Sequence, residues 1–289
     1  MIIPGDLHEA LAAGRLIPYI GPGVLALDPA CPLPATPEAL VSRLVARAAV
    51  PHKIRGNLTA AAQFIENFKH RKTVNTLMRD AFAVDASPNV LHGWLAASGF
   101  PLIVHAWYDD LVRAALAARG GDWGLVQAVS QAEHYGTWVH YFRPDGVRVD
   151  RASWATLVYE PFGALYPACN FLVSDSDFVE VLTEIDIQTP IPREVQALRQ
   201  DRGVLFLGCR FTTQLERAFA RQIMKRSRGP HWVVLSETMT RNESRFLTEQ
   251  SITPVPLDLA AFTEALADCK TVPHARDLAK GASSAANPA

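Results

Sequence analysis

Apolar positions along the chain fall into two rhythms. Continuous apolar runs at residues 16–20, 101–104, 156–159, 204–207, 232–235 and 252–257 predict strands covered on both faces, which need no polar positions. Helical spacing recurs between them. Leu40, Val41, Leu44, Val45 and Ala48 follow Thr36 and Pro37, a capping hydroxyl and then a residue suited to the first helical turn. Further stripes run through Phe64, Ile65 and Phe68, through Val74, Leu77, Met78, Ala81 and Phe82, and, behind Ser87 and Pro88, through Leu91, Trp94 and Leu95. Residues 36–98 are therefore expected to form an inserted helical module. A short helix is expected at residues 6–13, capped by Asp6 and stopped by Gly14. Leu111, Val112, Ala115 and Leu116 predict another, and residues 123–133 are read as helical. Alternation at residues 138–142 and a turn at 143–146 lead into a short run at 147–149. Helices are expected at residues 175–184, 213–224 and 242–250, and Leu259, Phe262 and Leu266 close the pattern with one more.

Apolar strands separated by helices predict an α/β fold, a Rossmann-like doubly wound parallel sheet. In such sheets ligands sit outside the carboxyl ends of the strands. The loops that matter are then residues 21–24, 106–110, 161–164, 208–213 and 236–238. One domain is expected over residues 1–270, and the Ala-, Ser- and Pro-rich residues 271–289 predict a disordered tail.

Charge and cysteine usage narrow the function. The 289 residues carry a net charge of −1, which leaves no global field to draw the chain onto nucleic acid or an anionic membrane. The basic positions Arg217, Arg221, Lys225 and Arg228, and the cluster Lys69, His70, Arg71 and Lys72, are read as solvated faces. Cys31, Cys169, Cys209 and Cys269 form no closely spaced pair, so reduced thiols are expected and a zinc site is not. The N-terminus shows no basic and apolar leader, and no uncharged apolar run is long enough to span a bilayer. A cytoplasmic location without membrane contact is the expectation.

The loop Gly21-Pro22-Gly23 follows its strand directly. Missing side chains would let the N–H groups of Gly23 and Val24 approach a pyrophosphate, while Pro22 supplies only rigidity. The dinucleotide fingerprint is incomplete, because Ala26 stands at its last glycine and no helix is expected to start at once. The loop alone reads either as a phosphate cradle or as a tight turn.

With these loops placed, the chain resembles the bacterial SIR2-like family, relatives of the sirtuins, from about Leu7 to Leu266. Gly21-Pro22-Gly23 resembles the family's Gly-Ala-Gly loop. Trp107-Tyr108-Asp109-Asp110-Leu111 resembles Asn-Tyr-Asp-Asp-Leu, and Glu160-Pro161-Phe162-Gly163 resembles Lys-Leu-His-Gly. Ser174-Asp175-Ser176-Asp177-Phe178 resembles Thr-Glu-x-Asp-Tyr, and the run from Gly208 to Thr213 resembles Gly-Tyr-Ser-Leu-x-Asp. The resemblance implies NAD, ADP-ribose or a related nucleotide as ligand, held by Gly21, Gly23, Asp109 and Gly208, with Val24 and Ser236 beside them.

The departures bear on catalysis. The family's asparagine falls on Trp107, its catalytic histidine on Phe162, and its late acidic residue on Thr213. Phenylalanine cannot accept the proton of a ribose hydroxyl, and general-base catalysis contributes roughly 10²–10⁴-fold. Trp107 would either stack on a base or fill the pocket. No catalytic residue is expected. Asp109 and Glu160 are the carboxylates that could stand in, while His105 and His140 read as hydrogen-bonded structural residues. The leading expectation is a nucleotide-binding protein without efficient catalysis, acting as a sensor or through a protein partner or a second copy of the chain. The alternatives are an NAD glycohydrolase of the bacterial defence type and a scaffold with a plugged pocket.

Overall fold

The computed structural model describes residues 3–187, 191–236 and 238–267. The strands are β1 Leu16–Ile20, β2 Leu102–His105, β3 Trp123–Ala128, β4 Val139–Phe142, β5 Arg148–Val149, β6 Thr156–Glu160, β7 Gly163–Ala164, β8 Asn170–Phe171, β9 Gly203–Leu207, β10 His231–Val234 and β11 Ile252–Val255. The helices are α1 Gly5–Ala12, α2 Pro37–Arg47, α3 Leu58–Phe82, α4 Val90–Ala97, α5 Leu111–Arg119, α6 Ala132–Tyr135, α7 Asp175–Ile187, α8 Arg193–Arg199, α9 Gln214–Met224, α10 Arg241–Glu249 and α11 Leu259–Ala267.

Nine strands form one sheet in the order β11-β10-β9-β1-β2-β6-β3-β4-β5. Its strands from β11 to β3 are parallel, and β4 and β5 extend it in antiparallel fashion. Every residue of β1, β2, β3, β9 and β10 is buried, as continuous apolar strands require. One face packs against α1, α4, α5 and α11, through residues such as Leu7, Leu91, Val112 and Phe262. The other packs against α8, α9 and α10, through Val195, Ile223 and Phe246. The fold is the expected α/β architecture. Its chain order reverses at β1: β2, β6 and β3 lie on one side, and β9, β10 and β11 on the other. Such a switch point leaves a crevice at the carboxyl ends of the strands.

Several local expectations change. Residues 123–133, read as helical, hold β3 and only then the short α6. A short apolar run does not distinguish strand from helix by period, and pairing with β6 and β4 decides it. Helix α1 begins after Pro4, and the Asp6 carboxylate accepts only from its neighbour Leu7 N–H at 2.8 Å, so Asp6 is not a cap. Thr36 caps α2 as expected, accepting from Ala39 N–H at 3.1 Å. Asn89, not Ser87, starts α4, in a reciprocal box with His92. α4 packs against α5 and α11, so the separate helical core consists of α2 and α3 together with Trp107, Tyr108 and Phe171. The expected tail, and with it Cys269, falls outside the described residues.

That helical core is tied to α7 by charge. α3 kinks at His70 (φ 68°), and Arg71 beside the kink pairs with Glu66 at 3.1 Å and Asp177 at 2.8 Å. Asp177 is 1% exposed and also accepts from the N–H groups of Val173 and Ser174, each at 2.9 Å. Removing one partner of a buried pair strands the other, which costs about 3 kcal/mol. Asp177→Ala is therefore expected to lower the urea midpoint of unfolding by an amount corresponding to about 3 kcal/mol. The exposed pair Arg47–Asp80 is screened by solvent, and Asp80→Ala should leave the midpoint almost unchanged.

Candidate functional site

The loops after β1 and β9 interlock at the switch point. Gly21 N–H donates to Leu207 O and Gly23 N–H to Gly208 O, each at 2.9 Å. A Cβ on Gly21 would lie 2.5 Å from Gly208 O, and one on Gly208 would lie 2.4 Å from Val24 N. Gly208 also holds φ +64°, which L side chains resist. Two corrections follow. The Gly23 N–H is spent on the neighbouring loop, and Val24 N–H is directed to Gly21 O at 3.3 Å, so neither is held out for a phosphate. A 3-10 helix, residues Pro22–Leu27, does start at once.

Above these loops lies a cleft of about 460 Å³ across the strand ends. Tyr19, Ala106 and Phe162 line one end, and Leu235, Ser236, Leu257 and Leu259 the other. Gly21, Pro22, Gly23, Gly208 and Thr212 line the middle, and Thr36 and Glu38 from the start of α2 form a lip. Of the residues singled out from the sequence, Gly21, Pro22, Gly23, Phe162, Gly208 and Ser236 meet here. Val24, Trp107 and Asp109 do not line the cleft.

Trp107 is turned into the α2–α3 core, where it meets Phe82 edge-on at 6.1 Å and donates from Nε1 to Pro34 O at 2.8 Å. It neither stacks in the cleft nor fills it. β2 ends at His105, so the alternation that would have given Trp107 the face of His105 has already lapsed. Phe162 lines the cleft from an aromatic wall, with Phe219 at 4.8 Å and Phe178 at 5.6 Å, both edge-on.

The two stand-in carboxylates are sealed in a buried polar row. His105 on β2, Glu160 on β6 and Gln127 on β3 are cross-strand neighbours and point to one face, the face of α5. His105 Nε2 lies 3.2 Å from Asp109 Oδ2, and its Nδ1 is 3.7 Å from Glu160 Oε1, beyond hydrogen-bond reach. Gln127 Nε2 donates to Glu160 Oε2 and to Tyr166 O, each at 2.6 Å. Asp109 also accepts from Leu111 N–H at 3.0 Å, which starts α5. These side chains are 2% exposed or less. Burial opposes a charge on His105, but Asp109 and Glu160 overcome it and raise the imidazole to about 10. Burial also pushes Asp109 up, yet the nearby His105 brings it below its ordinary value. Burial holds Glu160 up. His92, packed near Asp109, is pushed by burial down to about 4. His140 lies elsewhere, on β4, beside Phe142.

Two carboxylates not singled out from the sequence do reach the cleft, the exposed Glu38 at its lip and Glu216. Glu216 lines it, one turn into α9. Its Oε2 accepts from Thr213 N–H at 2.7 Å and from Thr212 Oγ1 at 3.1 Å. Burial pushes its carboxyl above the ordinary value. The spacing Thr213-x-x-Glu216 is a capping box, a signal visible in the sequence. Arg210, also on the cleft, forks onto buried Glu243 at 2.8 and 2.9 Å, and, against the pull of burial, holds that carboxylate down to about 2. Arg217 of the expected basic stripe is turned back to the Thr212 carbonyl at 2.9 Å. Among the described residues no group of three or more His, Cys, Asp or Glu side chains is arranged to hold a metal ion, and no helix is long and apolar enough to cross a membrane.

The buried histidines give stability a dependence on pH. The folded-state value of His105 lies above its ordinary 6.5, so its contribution is full below pH 6.5 and is lost as pH rises toward about 10. His92 has the opposite sign, and its contribution fades as pH falls from 6.5 toward about 4. Melting temperatures measured from pH 4 to 10 are expected to fall on both sides, and His105→Gln should flatten the alkaline arm alone.

Comparison with known protein families adds one match. A family model described as SIR2-like domain covers residues 101–255, from the edge of β2 to the end of β11. No curated protein matches the chain.

Proposed function

The chain belongs to the SIR2-like domain family, whose model covers more than half of its 289 residues, and on that premise we propose that it binds NAD, ADP-ribose or a related nucleotide without turning it over efficiently. The observation that carries the reading is the cleft across the switch point, with Phe162 in the wall at one end. An apolar end lined by Leu235, Leu257 and Leu259 suits a base. Thr212 and Ser236 offer hydroxyls, and the amino-terminal turn of α2, at Thr36, lends partial positive charge that favours a diphosphate. Measured at a spacing of about 4.8 Å, the strand ends from β6 to β10 extend roughly 19 Å. That is room for a base, a linker and a second sugar.

The absence of efficient turnover is argued from proton transfer. Phe162 has no lone pair to take a ribose hydroxyl proton. His105, Asp109 and Glu160 are engaged with one another on the α5 side of the sheet. Trp107, turned away and hydrogen-bonded to Pro34, speaks against the plugged scaffold. A role as a sensor, or one exercised through a protein partner, follows from binding without consumption.

Titration calorimetry with ADP-ribose, paired with a time course of NAD consumption, tests this reading. Micromolar binding is expected, with NAD loss close to the uncatalysed rate. Rapid NAD loss that disappears in Asp109→Ala or Glu160→Ala would replace it with the glycohydrolase reading.

A further inference from the structure

Glu216 is a cleft carboxylate with half of its hydrogen-bonding capacity uncommitted. Thr212 and Thr213 hold Oε2, while Oε1 accepts no hydrogen bond from any described residue. Its place along the cleft is set by the helix that carries it. Phe219 follows Glu216 by three positions on α9, hence on the same side of the helix, and packs edge-on against Phe162 at 4.8 Å. Glu216 therefore belongs to the Phe162 end, opposite the apolar end at Leu257 and Leu259. A ligand with its base among those leucines brings its far end to Glu216.

The group that a fixed carboxylate recognises there is a pair of hydroxyl donors. An ionised carboxylate only accepts, so it complements a vicinal diol and repels phosphate oxygens. Its position is fixed by two hydrogen bonds before ligand arrives, which lowers the cost of ordering it on binding. Thr36, Thr212 and Ser236 could each accept a hydroxyl proton too, but as neutral groups they do not discriminate against phosphate, and the other carboxylate of the lining, Glu38, stands exposed at the lip with no hydrogen bond to fix it among the described residues.

We propose that Glu216 is the specificity-determining residue of the cleft, holding through Oε1 the hydroxyls of a terminal ribose, so that the preferred ligand is a nucleoside diphosphate extended by a sugar. The proposal rests on the nucleotide reading above and deepens it. The raised carboxyl value of Glu216 fits a group that is partly desolvated before the diol replaces water around it.

ADP and ADP-ribose separate the two levels of the argument, since both carry the base and the diphosphate and only one carries the terminal sugar. Calorimetry on the full chain should show ADP-ribose binding roughly 10- to 100-fold more tightly than ADP, the range of a hydrogen bond to a charged group. Glu216→Gln keeps an acceptor for Thr213 N–H, so α9 retains its cap and the melting temperature should stay unchanged. In that variant the gap between the two ligands is expected to close, through weaker ADP-ribose binding with ADP binding held or strengthened. A purely capping role for Glu216 predicts instead that both ligands weaken alike and the gap persists, which would overturn the proposal. Equal binding of the two ligands to the native chain would overturn it as well, while leaving the nucleotide reading standing. Failure of the native chain to bind either ligand would overturn both.

Discussion

The backbone contact between the loops after β1 and β9 governs the rest of the site. Gly21, Gly23 and Gly208 approach so closely that a single Cβ would meet backbone at 2.4 to 2.9 Å. This closeness joins the two halves of the sheet at the point where its strand order reverses, and it forms the floor on which the cleft rests. It also commits Gly23 N–H to Gly208 O. A diphosphate placed here would therefore rely on the amino end of α2 and on side-chain hydroxyls, where a freer glycine loop would have presented its own amides.

A sheet separates what lies on its two faces, and this one separates two sets of acids. Alternation along β2, β6 and β3 turns His105, Glu160 and Gln127 toward α5, where they form a closed charge row with Asp109. The same alternation leaves Val104, Tyr159 and Val126 toward α8, α9 and α10. The row anchors loops: Asp109 starts α5, and Gln127 fixes the carbonyl of Tyr166. The cleft receives Glu216 from α9, where the same side chain completes the helix cap, and Glu38 from the first turn of α2.

On the reading proposed above, Phe162 stands where the family resemblance implies a proton acceptor. The sequence sets two aromatic residues, Trp107 and Phe162, at the positions in question. With Trp107 built into the α2–α3 core, Phe162 alone of the two lines the cleft, held edge-on by Phe178 and Phe219. An aromatic cluster drawn from the turn after β6, from α7 and from α9 fixes the shape of that end and offers no proton acceptor of its own.

By itself the sequence determined the parallel α/β order, the strands β1, β2, β6, β9 and β10, the start of α2 at Thr36 and Pro37, and the glycines of the switch point. These are set by local patterns of burial, by capping hydroxyls and by backbone freedom, which a linear reading captures. Only the tertiary structure decided that residues 123–128 are a strand, since an apolar run of that length is completed by whichever partners flank it, here β6 and β4. It alone turned Trp107 from the cleft, because strand alternation stops where the ladder stops. It alone brought Glu216 to the cleft and shut Asp109 and Glu160 away, because the direction of a side chain depends on the element that carries it and on the layer packed above.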